Sequence, residues 1–258
     1  MSSVQATKIL KPSELGSFPD GFSFFDPIIP HEVKEALEAG GEVYVSEDGS
    51  GKRDALFIYD EYEATGTIFT RSRMAFDYFY KLRPSSYIFS EFEVKDIPRE
   101  PWNLWELDVE SAPADHRFKH EVSIESNVNE IERFMSLTQP ETNLRWIGIA
   151  LKNGDKCFVN KVANRIVGMA WMTIVGDFAR SHGLFVVPQF RNQGMMTDNL
   201  QARLIYLRSR GVRRLIGEIA ESNIASATYA KNAGEEIVGK LFLYTTPDAP
   251  EGTPTPQV

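Results

Sequence analysis

Apolar positions along the chain form two stretches of regular pattern, with an irregular, proline-bearing segment between them. Residues 31–39 read as a helix ended by Gly40-Gly41. Short β-like runs follow at 43–46, 55–59 and 67–70. Residues 71–82 predict a second helix, with Met74, Phe76, Tyr78 and Phe79 as apolar positions and Pro84 as its stop. Residues 86–92 read as another strand. These elements predict a small α+β unit, rich enough in aromatic residues for its own core, whose composition names no ligand. Pro98, Pro101 and Pro113 leave little periodicity over 96–118, so the connection between domains is expected there. Trp102 and Trp105 predict that this connection packs on a neighbour.

From Lys119 the pattern is clearer. Residues 120–124 alternate as a strand. Asn127 or Asn129 is placed to cap a helix running to Leu137, with Ile131, Phe134 and Leu137 on one face. A further helix is expected over 144–151. Two β-rich runs, 156–162 and 166–175, flank the hairpin signal Ala163-Asn164-Arg165, and Gly176-Asp177 marks another turn. Residues 184–187 read as a short apolar strand ended by Pro188. Helix 197–210 places Leu200, Leu204 and Leu207 on one face, with Gly211 past its end. Strand 215–220, helix 225–233 closed by Gly234, and strand 237–245 complete this half. Residues 246–258 hold four prolines and are expected to pack poorly. The expected domains are thus 1–118, 119–246 and a Pro-rich tail at 247–258.

Composition narrows the class. At 258 residues, 42% hydrophobic and 25% charged, the chain is ordinary globular protein, which excludes pervasive disorder and collagen-like structure. No apolar run approaches the roughly 18–20 residues of a membrane span. The opening MSSVQATKILKPSELG lacks the apolar core of a secretory signal. The single cysteine, Cys157, excludes an internal disulfide framework and a Cys-rich zinc site. The expectation is a soluble cytoplasmic protein with no membrane partner.

The net charge of −8 is uneven: residues 1–118 carry 12 Lys and Arg against 22 Asp and Glu, the remainder 16 against 14. Bulk acidity argues against nucleic acid as a partner. The C-terminal half escapes that argument and is suited to an anionic ligand. A cationic ligand would be drawn to the acidic half.

One segment carries chemistry: Leu184-Phe185-Val186-Val187-Pro188-Gln189-Phe190-Arg191-Asn192-Gln193-Gly194-Met195-Met196-Thr197. A buried strand runs into a short turn, and the turn opens a long amphipathic helix. At such a junction several N–H groups are unpaired, and the helix dipole adds about half a positive charge. Together they suit a pyrophosphate. Gly194 lets the backbone approach the ligand without a Cβ, and Arg191 adds a charged donor. A plain strand–turn–helix connection with a solvated Arg191 is the alternative reading of the turn alone.

The order Val-x-Pro-x-x-Arg-x-x-Gly resembles the acetyl-CoA-binding motif of the GCN5-related N-acetyltransferase (GNAT) superfamily, Arg/Gln-x-x-Gly-x-Gly/Ala after a strand ending near Val-x-Pro. Arg191 and Gly194 match the first two anchors. Met196 stands at the third, usually small, position, which implies a different packing at the phosphate end. The Gly-Met-Met-Thr run is also similar to the glycine N-acyltransferase branch. Residues 120–175 follow the family's strand–helix–helix–hairpin order, with Ile166-Val167-Gly168-Met169-Ala170 similar to its third strand. Asn223-Ile224-Ala225-Ser226-Ala227 up to Ala233-Gly234 resembles its second CoA-contacting segment. The resemblance covers residues 119–246.

It implies an α/β (α+β) fold: a mixed, mostly antiparallel central sheet with splayed strands four and five, flanked by helices. The smaller α+β domain precedes it. It implies that backbone groups of Phe185, Val186 and Val187 pair with the pantetheine amides. The amides of Asn192, Gln193, Gly194, Met195, Met196 and Thr197 would hold the pyrophosphate, and Asn223 would bond near the pantetheine arm. Acetyl-CoA is the implied co-substrate and a small-molecule or peptide primary amine the acceptor. The amine attacks the thioester directly in a ternary complex, which requires removing an amine proton, polarising the carbonyl and protonating the thiolate.

The family's catalytic tyrosine stands four residues before the glycine that ends the last helix. Here that place is Ala230, and Tyr229 lies one residue earlier, about 100° round the helix. Tyr229 is therefore either the general acid or a wall aromatic. Glu218 shares a strand face with Ile216 and Ala220. It is either the general base or the ion-pair partner of Arg213 or another basic neighbour. His182 is a third candidate, just ahead of the strand at 184. Arg203, Arg208, Arg210, Arg213 and Arg214 either reach the 3′-phosphate of CoA or form a solvated helix face. Cys157 reads as a buried small residue. His31, His116, His120 and His182 show no metal-ligand spacing, and no metal is expected.

Two other readings remain at this level. Met196 and the displaced tyrosine also fit a non-catalytic acyl-CoA-binding sensor or assembly module. The N-terminal half fits, on element order, a diverged copy of the same fold without CoA, as in tandem enzymes of the superfamily.

Overall fold

The computed structural model describes residues 4–18, 22–60, 64–83, 87–113, 115–140 and 144–246. The expected tail at 247–258 lies outside them. In chain order the elements are β1 (Ala6–Ile9), α1 (Ile29–Ala39), β2 (Glu42–Glu47), β3 (Arg53–Asp60), β4 (Thr65–Thr70), α2 (Arg73–Leu82), β5 (Tyr87–Ser90) and β6 (Arg99–Asp108). Then come β7 (Glu121–Glu125), α3 (Val128–Thr138), α4 (Trp146–Asn153), β8 (Lys156–Val162), β9 (Arg165–Val175) and β10 (Phe178–Val186). The chain closes with α5 (Met195–Ser209), β11 (Arg214–Ala220), α6 (Ile224–Ala233) and β12 (Glu236–Thr245). Among the described residues no helix is long and apolar enough to cross a membrane.

The chain divides into two compact units. One takes the described residues of 1–103, 220–222 and 239–255; the other takes those of 104–219 and 223–238. In the first unit β1 pairs with β2, β2 with β3 and β3 with β4, all antiparallel, while β4 and β5 run parallel. Ser72 caps α2 by accepting the Ala75 amide, and the helical spacing of Ala75, Phe76 and Phe79 lays that face on Phe57, Ile68, Ile88 and Tyr244.

In the second unit β7, β8, β9 and β10 pair antiparallel in sequence, and β10 and β11 run parallel. The sheet therefore has two cores. Leu200, Leu204 and Leu207 of α5 pack on Phe158, Met172, Ala179 and Leu215. On the opposite face, Ile131, Phe134 and Met135 of α3 and Ile147 and Ala150 of α4 pack on Cys157, Val159, Met169 and Trp171. The neighbours Cys157 and Phe158 fall into different cores because successive strand residues point to opposite faces. Cys157 is fully buried, and burial pushes its thiol pKa up.

The two units repeat one topology. Strands β1 to β5 and β7 to β11 have the same order and the same sequence of senses. They differ at two places: α3 and α4 both lie between β7 and β8 where α1 alone, among the described residues, is the α-helix between β1 and β2, and the step after the fourth strand is built differently. In the first unit β4 and β5 stay paired from Thr65↔Tyr87 to Ile68↔Ser90, and only Arg71-Ser72 links β4 to α2. In the second unit residues 187–194 intervene between β10 and α5, and the parallel pair opens.

Several expectations change. The stretch 96–118 contains β6, a ten-residue strand. Leu104, Trp105 and Leu107 are all buried, so both faces of its later half are covered and no period of two shows. Strand β10 begins six residues before the expected 184, because Arg180, Ser181 and His182 give it no apolar alternation. Leu137 is 77% exposed, and Met135 takes its expected place in the core. β1 is four residues long, too short to declare itself by period.

Candidate functional site

The β10–β11 ladder runs from Phe178↔Arg214 to Ser181↔Gly217 and stops. Past that step β10 stays with β9 as far as Val186↔Gly168, while β11 continues to Ala220, so the two parallel strands part into a fork. A bulge between His182 and Phe185 re-aims β10 there. Gly183 sits in it with φ 58°, and a Cβ would meet Cδ1 of Trp171 at 2.9 Å, so backbone and space both require glycine. The Val187 amide donates to Val167 O at 2.9 Å. By alternation Phe185 and Val187 turn their backbone groups to β9, and Leu184 and Val186 turn theirs into the fork. Of the three residues expected to pair with pantetheine, only Val186 faces the gap. Its carbonyl accepts Arg191 Nε at 3.0 Å.

The turn after the fork is built by two left-handed residues, Asn192 (φ 59°) and Gly194 (φ 87°). The amides of Phe190 and Arg191 close on Val187 O and Pro188 O, and that of Asp198 closes on Gly194 O. Between them, the amides of Asn192, Gln193, Gly194, Met195, Met196 and Thr197 have no acceptor among the described residues. None of the described residues lies within 4 Å of where a Gly194 Cβ would stand, and Arg191, Asn192, Gln193 and Thr197 are exposed. Unpaired amides at the start of a fifteen-residue helix are an arrangement with the donor chemistry an anion needs.

The first turn of α5 is held from inside. Met195 O accepts Asn160 Nδ2 at 2.9 Å, and Asn160 Oδ1 accepts Asn199 Nδ2 at 3.0 Å; both asparagines are fully buried. Met196 O accepts the Tyr229 hydroxyl at 2.8 Å. Asp198, its side chain 1% exposed, meets His116 Nε2 at 2.5 Å and His120 Nδ1 at 2.6 Å, and accepts the amides of Lys119 and His120. Burial alone would raise the Asp198 pKa; the two imidazoles and two amides outweigh it and hold the carboxyl below its ordinary range. Met196 packs against the cluster of Val167, Val186 and Met195. That contact accounts for a large side chain at a position the resemblance leaves small.

Residues 121–234 match the acetyltransferase (GNAT) family. The C-terminal half carries a GNAT domain. No curated protein sequence matches the chain. In fold the chain is similar to a GCN5-related N-acetyltransferase from Sphaerobacter thermophilus (TM-score 0.57, 11% identity, 83% of each chain covered). It is also similar to a tandem GNAT protein from the clavulanic acid biosynthesis pathway (TM-score 0.61, 12% identity, 96% of this chain and 100% of that one). A Drosophila protein gives a TM-score of 0.62 at 11% identity, over 95% of this chain and 99% of that one.

Within the GNAT domain the remaining expected residues are engaged by the protein. Glu218 accepts Arg180 Nε at 2.6 Å, not Arg213, and its Oε2 is buried with no hydrogen-bond partner among the described residues. Tyr229 donates to Met196 O, and burial pushes its pKa up to about 12. Asn223 caps α6, its side chain accepting the Ser226 amide. The arginine cluster is largely structural. Arg203 is buried and donates to Ser181, Arg208 donates to the carbonyls of Val109 and Ala112, and Arg214 pairs with Glu106. Sequence reasoning missed Asn160, Asn199, Asp198 and Arg180. Each gains its role from a partner at least 35 residues away, and no local motif announces such a pairing.

Proposed function

We propose that the GNAT domain is an N-acetyltransferase that moves the acetyl group of acetyl-CoA to a primary amine by direct attack. The six unpaired amides from Asn192 to Thr197, standing at the mouth of the fork, carry this reading. They match a diphosphate in charge and donor chemistry, and the open edge of β10 at Leu184 and Val186 offers backbone groups for pantetheine amides. Arg191 serves the loop by tethering Val186 O and lying over the Phe185 ring. The burial of the only cysteine supports direct attack over a cysteinyl acyl-enzyme. A net charge of −8 favours cationic acceptors, and the KM of the amine should rise with salt.

Calorimetric titration with acetyl-CoA, followed by thiol release across a panel of primary amines, tests the proposal. No binding of acetyl-CoA would refute it.

A second reading, a non-catalytic acyl-CoA-binding sensor or assembly module, has one specific support: Glu218 and Tyr229, the expected base and acid, are held by Arg180 and Met196. Binding without turnover across the whole panel would favour it.

A further inference from the structure

The fork has a second polar group of residues, on the face away from α5. His182 is the first residue of β10 beyond the last paired step, Ser181↔Gly217, so it stands where the strands begin to part. Alternation puts its side chain on the Arg180 face, between two indoles: its ring lies 6.4 Å from that of Trp171, planes 21° apart, and 6.4 Å from that of Trp146. The side chain is 21% exposed, enough for a substrate to reach. Behind it, Nε2 lies 3.4 Å from Thr173 Oγ1 and 3.7 Å from Asp155 Oδ2, and Thr173 Oγ1 donates to Asp155 Oδ2 at 2.9 Å. Thr173 and Asp155 are both buried.

A threonine hydroxyl has one proton. Given to Asp155, it leaves Oγ1 only lone pairs to offer His182, so Nε2 must carry the ring hydrogen. The neutral ring is thereby fixed as the Nε2–H tautomer. The lone pair is left on Nδ1, which has no partner among the described residues. The carboxylate behind the hydroxyl steadies the imidazolium that forms when Nδ1 takes a proton.

We infer that His182 is the general base of the acyl transfer, with Thr173 and Asp155 as its positioning residues; the inference rests on the transferase reading above. Nδ1 takes one proton from the bound primary ammonium. The neutral nitrogen attacks the thioester carbonyl and forms the C–N bond, and the C–S bond breaks as the tetrahedral adduct collapses. A second amine proton passes to the departing sulfur, the third stays on the amide, and His182 releases its proton to solvent through its exposed edge.

Imidazole ¹⁵N correlation spectra of the full chain test this, with His182 assigned through His182→Gln. The expected result is an Nε2–H ring whose tautomer balance moves toward Nδ1–H in Thr173→Val and in Asp155→Asn. Its Nδ1 resonance should shift when acetyl-CoA is added. His182→Gln should bind acetyl-CoA within about twofold of the parent and lose about 100-fold or more in thiol release with any amine the parent accepts. An Nδ1–H ring in the parent, or a His182 signal unmoved by bound acetyl-CoA, overturns the inference and leaves the CoA site standing. Failure of the parent to bind acetyl-CoA at all removes the transferase reading itself. If no amine in the panel is accepted, the spectra alone decide.

Discussion

The Arg180 guanidinium lies 2.6 Å from Glu218 across the base of the fork, joining its two arms. The two partners differ in exposure: the Glu218 side chain is 2% exposed, that of Arg180 26%. Arg180→Met strands a buried carboxylate and should cost about 3–5 kcal/mol. Glu218→Gln keeps an acceptor and leaves a partly hydrated cation, and should cost about 1 kcal/mol. Urea unfolding of both variants checks the order; equal costs would mean that the pair holds nothing together.

Gly194 has room for a side chain but not the backbone freedom to carry one. Gly194→Ala should therefore lose about 1 kcal/mol of stability through its positive φ alone. Gly194→Glu sets a carboxylate among the free amides and should nearly abolish acetyl-CoA binding. Arg191→Ala, which frees Val186 O and removes a cation, should weaken binding about tenfold, or 1.4 kcal/mol. Calorimetry distinguishes the three; unchanged affinity in both Gly194→Glu and Arg191→Ala would refute the site.

Asn160 and Asn199 act as one unit beneath α5. Asn160→Ala leaves Met195 O without its donor and should cost about 2 kcal/mol. The double variant with Asn199→Ala should fall short of additivity by about 1 kcal/mol. Strict additivity in denaturant titrations would show that the hydrogen bond between them contributes nothing.

Asp198 predicts an acid-side loss. Its carboxyl ionises at lower pH in the folded chain than its ordinary 3.8, so the folded state is favoured by the ionised form. That contribution is complete well above pH 3.8 and disappears as pH falls through the folded value. The stability gap between the parent and Asp198→Asn should be widest near neutrality and shrink toward pH 3. A gap independent of pH would contradict the assignment.

The closed β4–β5 pair and its two-residue link predict one acetyl-CoA per chain. A calorimetric stoichiometry of two would show that the first unit binds it as well.

Much of this is legible in the amino-acid sequence. Leu200, Leu204 and Leu207 mark α5, and the glycines after α1 and α6 mark their ends, because helical period and left-handed caps are local properties. The turn at 188–197 was legible for the same reason. The fork was reached only through family resemblance, since no residue pattern states where a ladder stops. Strand β6 stayed hidden because burial on both faces erased its alternation. Roles at the site were hardest to read. Whether Glu218 is a base or an ion-pair partner depends on Arg180, 38 positions away, and whether Tyr229 is an acid or a brace depends on Met196. His182 looked like a turn residue because the polar half of β10 did not look like a strand.

The burial of Cys157 has a practical consequence. Reagents that count sulfhydryl groups should find none in the native chain, so CoA released during turnover can be followed continuously against a silent background. Any slow signal without substrate would then measure how often the α3–α4 core opens.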